Sequence, residues 1–398
     1  MHRVDKNRPT QEWIEHLRRR FPVEKEIDRI LTRKMTRRAG PGYSSVSLDT
    51  LTAGVELLLK AKLSGPFEVR NPRWMSGGAS KVQMAFDLTW SQSGNDKTTT
   101  TMVLRMEPAE SIVETSRLRE FQLIKAFEGV IPVPPVYWVD NAAEFLPYPA
   151  MICGFCDGVA RPTKGVDGIS GIGTNFGPVA RPSLGKQFLE HLATIHTRDW
   201  KNADLSAFDI PEDGTEAVEW QLNWWERAWE EDVNEDVPLM RLAMAWMRAN
   251  MPPVDRLSIV HGDYRTGNFL YTEDEIRISA ILDWELGHFG DRHEDLAWAI
   301  RAAFGHLAED GKTFLVGGFM PETQFMDMYQ SLSGMTVEKK KLDFYKIFNA
   351  YKNIQIVLAT GYRVARGSKG HQDVLLGWLL GISYPYLDDM RVMLEDLL

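Results

Sequence analysis

Apolar and polar positions along this chain of 398 residues fall into two rhythms, and the change between them marks its parts. From Thr10 to Arg38, apolar Trp13, Ile14, Leu17, Phe21, Ile27, Ile30 and Leu31 recur mostly at three- and four-residue spacing, which predicts a helix with many exposed basic positions. Gly40-Pro41-Gly42 ends it, and Ser47-Leu48-Asp49 opens a second helix through Leu58 and Leu59. From Phe67 the rhythm shortens. FEVRNPRWM, SKVQMAFDLTW and, after the turn Ser93-Gly94-Asn95-Asp96, TTTTMVLRME read as strands. Residues 116–127 return to helical spacing, and PPVYWVD and YPAMICGF give two more strands. The first part therefore predicts a small sheet carrying one interior helix.

Past Gly158 the pattern changes again. Residues 159–182 are rich in Gly and Pro and predict an ordered loop or insertion. Helices dominate afterwards, over 183–197, a Trp-rich stretch 215–230, 238–250, 291–303 and on to the C-terminus. One hairpin interrupts them, with strands over 268–271 and 276–282.

Composition sets limits. Apolar residues are 44% and charged residues 25% of a chain long enough for two lobes. A net charge of −9 argues against a general nucleic-acid binder, which needs a basic face. The start MHRVDKNRPTQEW lacks the apolar middle of a secretion signal, and no apolar run approaches the ~20 residues of a membrane span. A cytoplasmic protein without nucleic-acid or membrane partners is expected; oligomeric state is not legible. Cys153 and Cys156 form a C-x-x-C pair, but no second Cys or His pair completes a zinc site. They follow a strand and precede the Asp157-Gly158 turn instead of opening a helix, so two reduced, mostly buried thiols are expected.

Three stretches invite a nucleotide reading. GISGIGTNFG places Phe176 where a dinucleotide fingerprint needs glycine, and Gly305 lies one residue too far from Gly311-Lys312-Thr313 for a Walker A loop. WMSGGASKVQMAF is better placed. Its Ser76, Gly77, Gly78, Ala79 and Ser80 lie between two predicted strands, where backbone N–H groups drape over phosphates, although a plain hairpin turn fits the same residues.

VHGDYRTGNFL, residues 260–270, carries more. His261, Asp263 and Asn268 keep the H-x-D-x-x-x-x-N spacing of a kinase catalytic loop, and the hairpin that follows delivers Asp283 in ILDWE. Oxygens of Asn268 and Asp283 suit Mg²⁺, which also takes nucleotide phosphate oxygens, while Asp263 faces the acceptor hydroxyl. A capped surface turn is the bland alternative.

With AILDWELGHFGDRHEDLAWAI, this stretch resembles the aminoglycoside phosphotransferase and choline kinase-like family of small-molecule kinases, over most of the chain from about Leu48. The resemblance implies an α+β, bilobal protein-kinase-like fold: a small N-lobe with an antiparallel sheet and one interior helix, and a larger, mainly helical C-lobe. Expected boundaries are a helical extension over 1–46, the N-lobe with its Gly-rich loop over 47–152, a hinge over 153–158, and the C-lobe with catalytic loop and acceptor site over 159–398. It further implies ATP as co-substrate with Mg²⁺, and Arg105 where protein kinases have the nucleotide-binding lysine, paired with Glu120. Gly154, Phe155 and Cys156 become the adenine hinge, with glycine where the family often has an acidic residue. Glu285 becomes either a supporting or an acceptor-side carboxylate, and Arg265 a substrate contact. FLEHLATIHTRDW makes His196 a packing residue, and Asp295 a tie between its helix and the catalytic loop. His288 and His293 are substrate contacts or plain surface residues.

The acceptor is less constrained. A polycationic aminoglycoside needs carboxylates, which the acidic residues at 212–219 and Glu226, Glu230, Glu231, Asp232, Glu235 and Asp236 offer unless they are solvated helix faces. EWQLNWWERAWEED looks closer to the family branch related to kinase domains of acyl-CoA dehydrogenase proteins, which implies hydroxyacyl thioester acceptors. Trp220, Trp224, Trp225 and Trp229 then form an apolar acceptor wall or a packing stripe. A nucleotide-binding pseudokinase or scaffold is the alternative of another class.

Overall fold

The computed structural model describes residues 5–75, 81–91, 97–163, 173–368 and 373–398. The Gly-rich stretch Ser76, Gly77, Gly78, Ala79 and Ser80 and the whole turn 93–96 lie outside the described residues.

The basic N-terminal segment is two helices, α1 (Gln11–Arg20) and α2 (Lys25–Arg37), where one was expected. Pro22 accounts for the break, because it has no N–H to donate and disfavours helical geometry in the residue before it. Thr10 caps α1 by accepting from the Trp13 N–H. Helix α3 (Leu48–Lys62) starts at Ser47, whose hydroxyl accepts from Thr50 N–H.

Five antiparallel strands follow: β1 (Glu68–Trp74), β2 (Val82–Trp90), β3 (Thr98–Met106), β4 (Val136–Asp140) and β5 (Ala150–Gly154). Their order is β1-β2-β3-β5-β4. Strand alternation decides which residues meet the cleft. Met102, Leu104 and Met106 of β3 pack with Met84, Phe86 and Leu88 of β2 against Leu51, Val55 and Leu58 of α3. Val103 and Arg105 must then face the opposite side, toward α4 (Arg117–Phe127) and the cleft.

The larger lobe is mainly helical: α5 (Gly177–Thr197), α6 (Glu216–Asp232), α7 (Pro238–Ala249), α8 (His293–Ala299), α9 (Glu322–Ser333), α10 (Lys339–Ile354), a π-helical turn Gln355–Gly361, α11 (Tyr362–Arg366), α12 (Asp373–Leu379) and α13 (Ser383–Leu397). Helix α5 begins six residues inside the stretch expected to be loop. Pro178 fits its first turn, and Pro182 is carried within it. The helix expected over 291–303 is shorter, ending at Ala299 ahead of a 3₁₀ turn Ala302–Phe304. Strands β6 (Ser258–Val260) and β9 (His288–Gly290) pair, and β7 (Phe269–Thr272) and β8 (Arg277–Ile281) form the hairpin. The connection from β5 is tied to that hairpin, since Val159 and Tyr271 exchange both backbone hydrogen bonds. The fold is bilobal and kinase-like. No helix among the described residues is long and apolar enough to cross a membrane.

Candidate active site

The stretch after β6 turns sharply. Gly262 has φ +79°, and a Cβ there would lie 2.7 Å from the Leu286 carbonyl oxygen, so only glycine fits. Asp295, buried on α8, clamps the turn by accepting from the N–H groups of His261 (2.7 Å) and Gly262 (2.9 Å). His196 donates to the same carboxylate at 3.1 Å while its Nδ1 accepts from Tyr329, so this histidine is a structural link. Burial opposes ionisation of Asp295, yet these donors outweigh it and hold the carboxyl below its ordinary range.

His261 is buried and held neutral by that burial. Its Nδ1 accepts from Asp263 N–H and its Nε2 donates to the Leu282 carbonyl at 2.9 Å. Leu282 N–H in turn donates to the Asn268 carbonyl. One imidazole thus joins the turn to the end of the hairpin, and Asp283 comes next in a left-handed conformation, φ +60°.

Asp263, Asn268 and Asp283 consequently share one locality. The Asn268 amide donates to Asp263 Oδ2 at 2.6 Å, while its side-chain oxygen carries no hydrogen bond among the described residues. Asp263 Oδ1 accepts from the Trp298 indole at 2.6 Å and from Arg265 Nε at 3.2 Å. The side chains of Asp263 and Asp283 stay 23% and 41% exposed, enough for a ligand to reach them.

Behind Asp283 lies a buried chain of charge. Arg105 contacts Asp283 at 2.8 Å and Glu120 of α4 at 3.3 Å. Burial works against charge on Asp283, but the Arg105 guanidinium prevails and keeps its carboxyl below the usual range. Glu120 also pairs with Arg117, which meets Glu107 at 2.8 Å and Glu285 at 3.2 Å. Lys81 closes the loop with Glu107 (2.9 Å) and Glu285 (3.2 Å). Three cations thus face four carboxylates. The surplus negative charge sits where Asp283 opens to the cleft, which together with the free Asn268 oxygen fits a hard divalent cation.

Several expected residues lie elsewhere in role or surroundings. Glu285 is engaged by Lys81 and Arg117, as a supporting carboxylate would be, and not as a free acceptor-side group. His288 and His293 are neither surface residues nor open to substrate. Both are buried, His288 between the Leu286 carbonyl and Glu294 and His293 between Asp291 and Glu338 N–H. Burial pulls the His288 pKa down, but Glu294 outweighs it and the net shift is upward. Trp224, Trp225 and Trp229 belong to the core, with Trp224 and Trp225 stacked at 5.0 Å, so they form a packing stripe rather than a wall.

At the connection, Gly154 donates its N–H to Pro135, and a Cβ there would lie 2.7 Å from the Pro135 ring. A side chain at this position would therefore press on the proline ring. Phe155 N–H donates to Thr101 and its ring is exposed. Cys153 is buried and Cys156 half-buried, both free thiols; burial raises them to about 12 and about 11.

Lys81, Arg117 and Trp298 contribute without having been singled out in the sequence. A lysine directly after a Gly-rich loop and ahead of a buried strand was the available signal for Lys81.

The sequence profile of the phosphotransferase enzyme family matches residues 88–329, and the chain belongs to that family. Among curated proteins, acyl-CoA dehydrogenase family member 10 of Mus musculus is 24% identical over 206 residues, covering 51% of this chain and 18% of that one. Acyl-CoA dehydrogenase family member 11 of Homo sapiens is 27% identical over 203 residues, covering 50% and 24%. The match thus spans less than a quarter of the length of these two relatives. Among solved structures, a candidate aminoglycoside phosphotransferase from Ralstonia eutropha superposes with a TM-score of 0.58 at 21% identity, covering 85% of this chain and 98% of that one. A choline kinase from Streptococcus pneumoniae gives 0.50 at 14%, covering 84% and 98%. Both share the fold.

Proposed function

We propose that this protein transfers the γ-phosphoryl group of ATP to a hydroxyl of a small molecule. The carrying observation is the convergence of Asp263, Asn268 and Asp283 in front of the Arg105–Glu120 pair. Asp263 is the catalytic residue. Both of its oxygens already accept from the protein, Oδ1 from Trp298 and Arg265 and Oδ2 from Asn268, which fixes the carboxylate plane while leaving a lone pair on Oδ2. A carboxylate is too weak a base to strip an alcohol first, and a loose phosphoryl transition state does not ask it to. Asp263 orients the hydroxyl and receives its proton late.

Asn268 and Asp283 would hold Mg²⁺, which when bound neutralises charge on the nucleotide phosphates. Arg105 supplies fixed positive charge beside them, kept in place by Glu120. Ser76 to Ser80 would cover the phosphates, and Gly154, Phe155 and Cys156 would meet the adenine.

A metabolic alcohol is the favoured acceptor, and the relatives' names make a hydroxyacyl thioester the first candidate. The aminoglycoside alternative has four of the six candidate carboxylates over 226–236 already engaged, with Glu230 and Glu235 outside any ion pair among the described residues. Glu226 is taken by Arg248, Glu231 by Lys34 and Arg227, Asp236 by Arg241, and Asp232 by Lys34, Arg38 and Arg363. The test is an ADP-release screen with amino sugars, short alcohols and hydroxyacyl thioesters in separate pools, run beside Asp283→Ala. Acceptor-dependent release by the wild type alone is expected. Equal release by both proteins would contradict the proposal, and Mg·ATP binding without release in any pool would favour a pseudokinase.

A further inference from the structure

Among the charged side chains around Trp298, which reaches Asp263, one is unbalanced. Arg301 connects α8 to the Ala302–Phe304 turn and is half-buried. Its guanidinium carbon lies 5.1 Å from the Trp298 ring centre and 4.3 Å from that of Tyr386 on α13. One nitrogen, Nη1, donates to the Asn349 carbonyl at 3.3 Å. The remaining N–H groups have no partner among the described residues, and no carboxylate comes within ion-pair distance. Asp389 of α13 is close enough to be felt electrostatically, but it does not pair.

The fully buried arginines are treated differently. Those buried outright, namely Arg38, Arg105, Arg117, Arg119, Arg227, Arg292 and Arg363, each meet a carboxylate. That is the ordinary solution, since a guanidinium removed from water without a counter-charge is costly. Arg301 is removed from much of its water by aromatic faces alone. With Trp298 and Tyr386 on it, the rings supply cation–π attraction, but the donors of its fork go unused.

Its position gives this meaning. Trp298, which packs on Arg301, also donates its indole N–H to Asp263 Oδ1 at 2.6 Å. The other cations nearby are satisfied. Lys352 holds Glu294 and the Gly262 carbonyl at 2.9 Å each, and Arg265 holds Asp263 and the Thr266 carbonyl. One indole away from Asp263, across Trp298, there is thus one spare guanidinium. It would repel a polycation and grip an anion bidentately.

We infer that Arg301 binds the acceptor, and that the acceptor hydroxyl belongs to a molecule carrying a carboxylate or phosphate group. This rests on the phosphotransferase reading and narrows its substrate class. The anionic group is either the acceptor's own carboxylate or a phosphate of a thioester carrier.

The experiment uses the full chain and four named probes: 3-hydroxybutyrate, 3-hydroxybutyryl-CoA, neutral 3-hydroxybutyramide and cationic choline. Transfer is read by ADP release and binding by calorimetry in the presence of Mg·ADP, so charge preference is measured whether or not phosphate moves. At least one anionic probe should be favoured over the amide and choline, and which one identifies the source of the charge. Arg301→Gln should raise its KM or Kd roughly 10- to 100-fold with kcat changed far less, the loss of one charge-assisted contact. Arg301→Lys should recover part of that loss, and thermal melting of both variants guards against unfolding. Preference for choline or the amide, an Arg301→Gln variant that binds the anion like wild type, or absence of anion binding in both proteins would each overturn the inference. Failure to bind Mg·ATP would count instead against the phosphotransferase reading.

Discussion

Replacing Trp298 by Phe removes one N–H from Asp263 and keeps an aromatic ring in place. The indole donates to Oδ1 at 2.6 Å, a hydrogen bond to a charged group, worth about 1.5–3 kcal/mol. Arg265 Nε reaches the same oxygen at 3.2 Å and makes up part of the loss, so the lower end applies. About 1.5 kcal/mol, if felt only where Asp263 must aim at the hydroxyl, is roughly a 10-fold fall in kcat. The smaller ring also weakens packing under Arg301 and Lys352, which should lower stability by about 1–2 kcal/mol. These effects separate experimentally. Single-turnover phosphoryl transfer reads the first, thermal melting the second, and Mg·ATP affinity should stay near wild type because Trp298 touches no residue proposed for nucleotide binding. A kcat within twofold of wild type in a well-folded Trp298→Phe protein would refute the positioning role. A matching loss of ATP affinity would show that the substitution disturbs the whole turn.

Two further perturbations probe the supports of the site. Arg105→Ala should reduce transfer far more than Arg105→Lys, because lysine restores charge between Glu120 and Asp283 though not the fork; equal losses in steady-state kcat/KM would mark Arg105 as purely structural. Asp295→Asn should lower stability at pH 7 by about 2–4 kcal/mol, since a buried carboxylate holding three donors is replaced by an amide. The Asp295 carboxyl titrates below its unfolded value, so its contribution is complete above that value, near ~3.9, and fades as pH falls through the folded one. The melting-temperature gap between wild type and Asp295→Asn should therefore be widest near neutrality and narrow in acid, and a gap that widens in acid would contradict the assignment.

What the sequence discloses is what local spacing encodes. The sheet strands and the helix over 117–127 follow from period and turn residues, because a two-residue period has only one way to bury a face. Asp263, Asn268 and Asp283 are legible because one tight turn and one short hairpin bring them together. The charge network is not legible in that way. Lys81, Glu107, Arg117 and Glu285 are scattered over about two hundred positions and meet only when the sheet closes over the Trp284–Leu286 turn. In sequence each resembles an ordinary surface charge. Trp298 likewise reads as a core residue, and only the fold aims its N–H at Asp263. The histidines show the reverse error: His288 and His293 lie in a loop-like stretch, yet tertiary packing buries both beside carboxylates. Pro22 breaks a stretch whose apolar period runs on at either side of it, so the period alone does not locate the helix ends.

The central claim is that Asp263 serves the transfer step while Asn268 and Asp283 serve the metal and nucleotide. Asp263→Asn tests it most directly, because the amide has nearly the same shape, its oxygen still accepts from Trp298, and Asp283 is untouched, at the loss of the contact from Asn268. The measurement is Mg·ATP affinity by calorimetry beside single-turnover transfer to the acceptor found by the screen. The account predicts affinity within a few-fold of wild type and transfer slowed by about 10²–10⁴-fold, the usual effect of losing a general base. Unchanged transfer would contradict the role of Asp263, and loss of ATP binding together with transfer would make it a metal or structural residue instead.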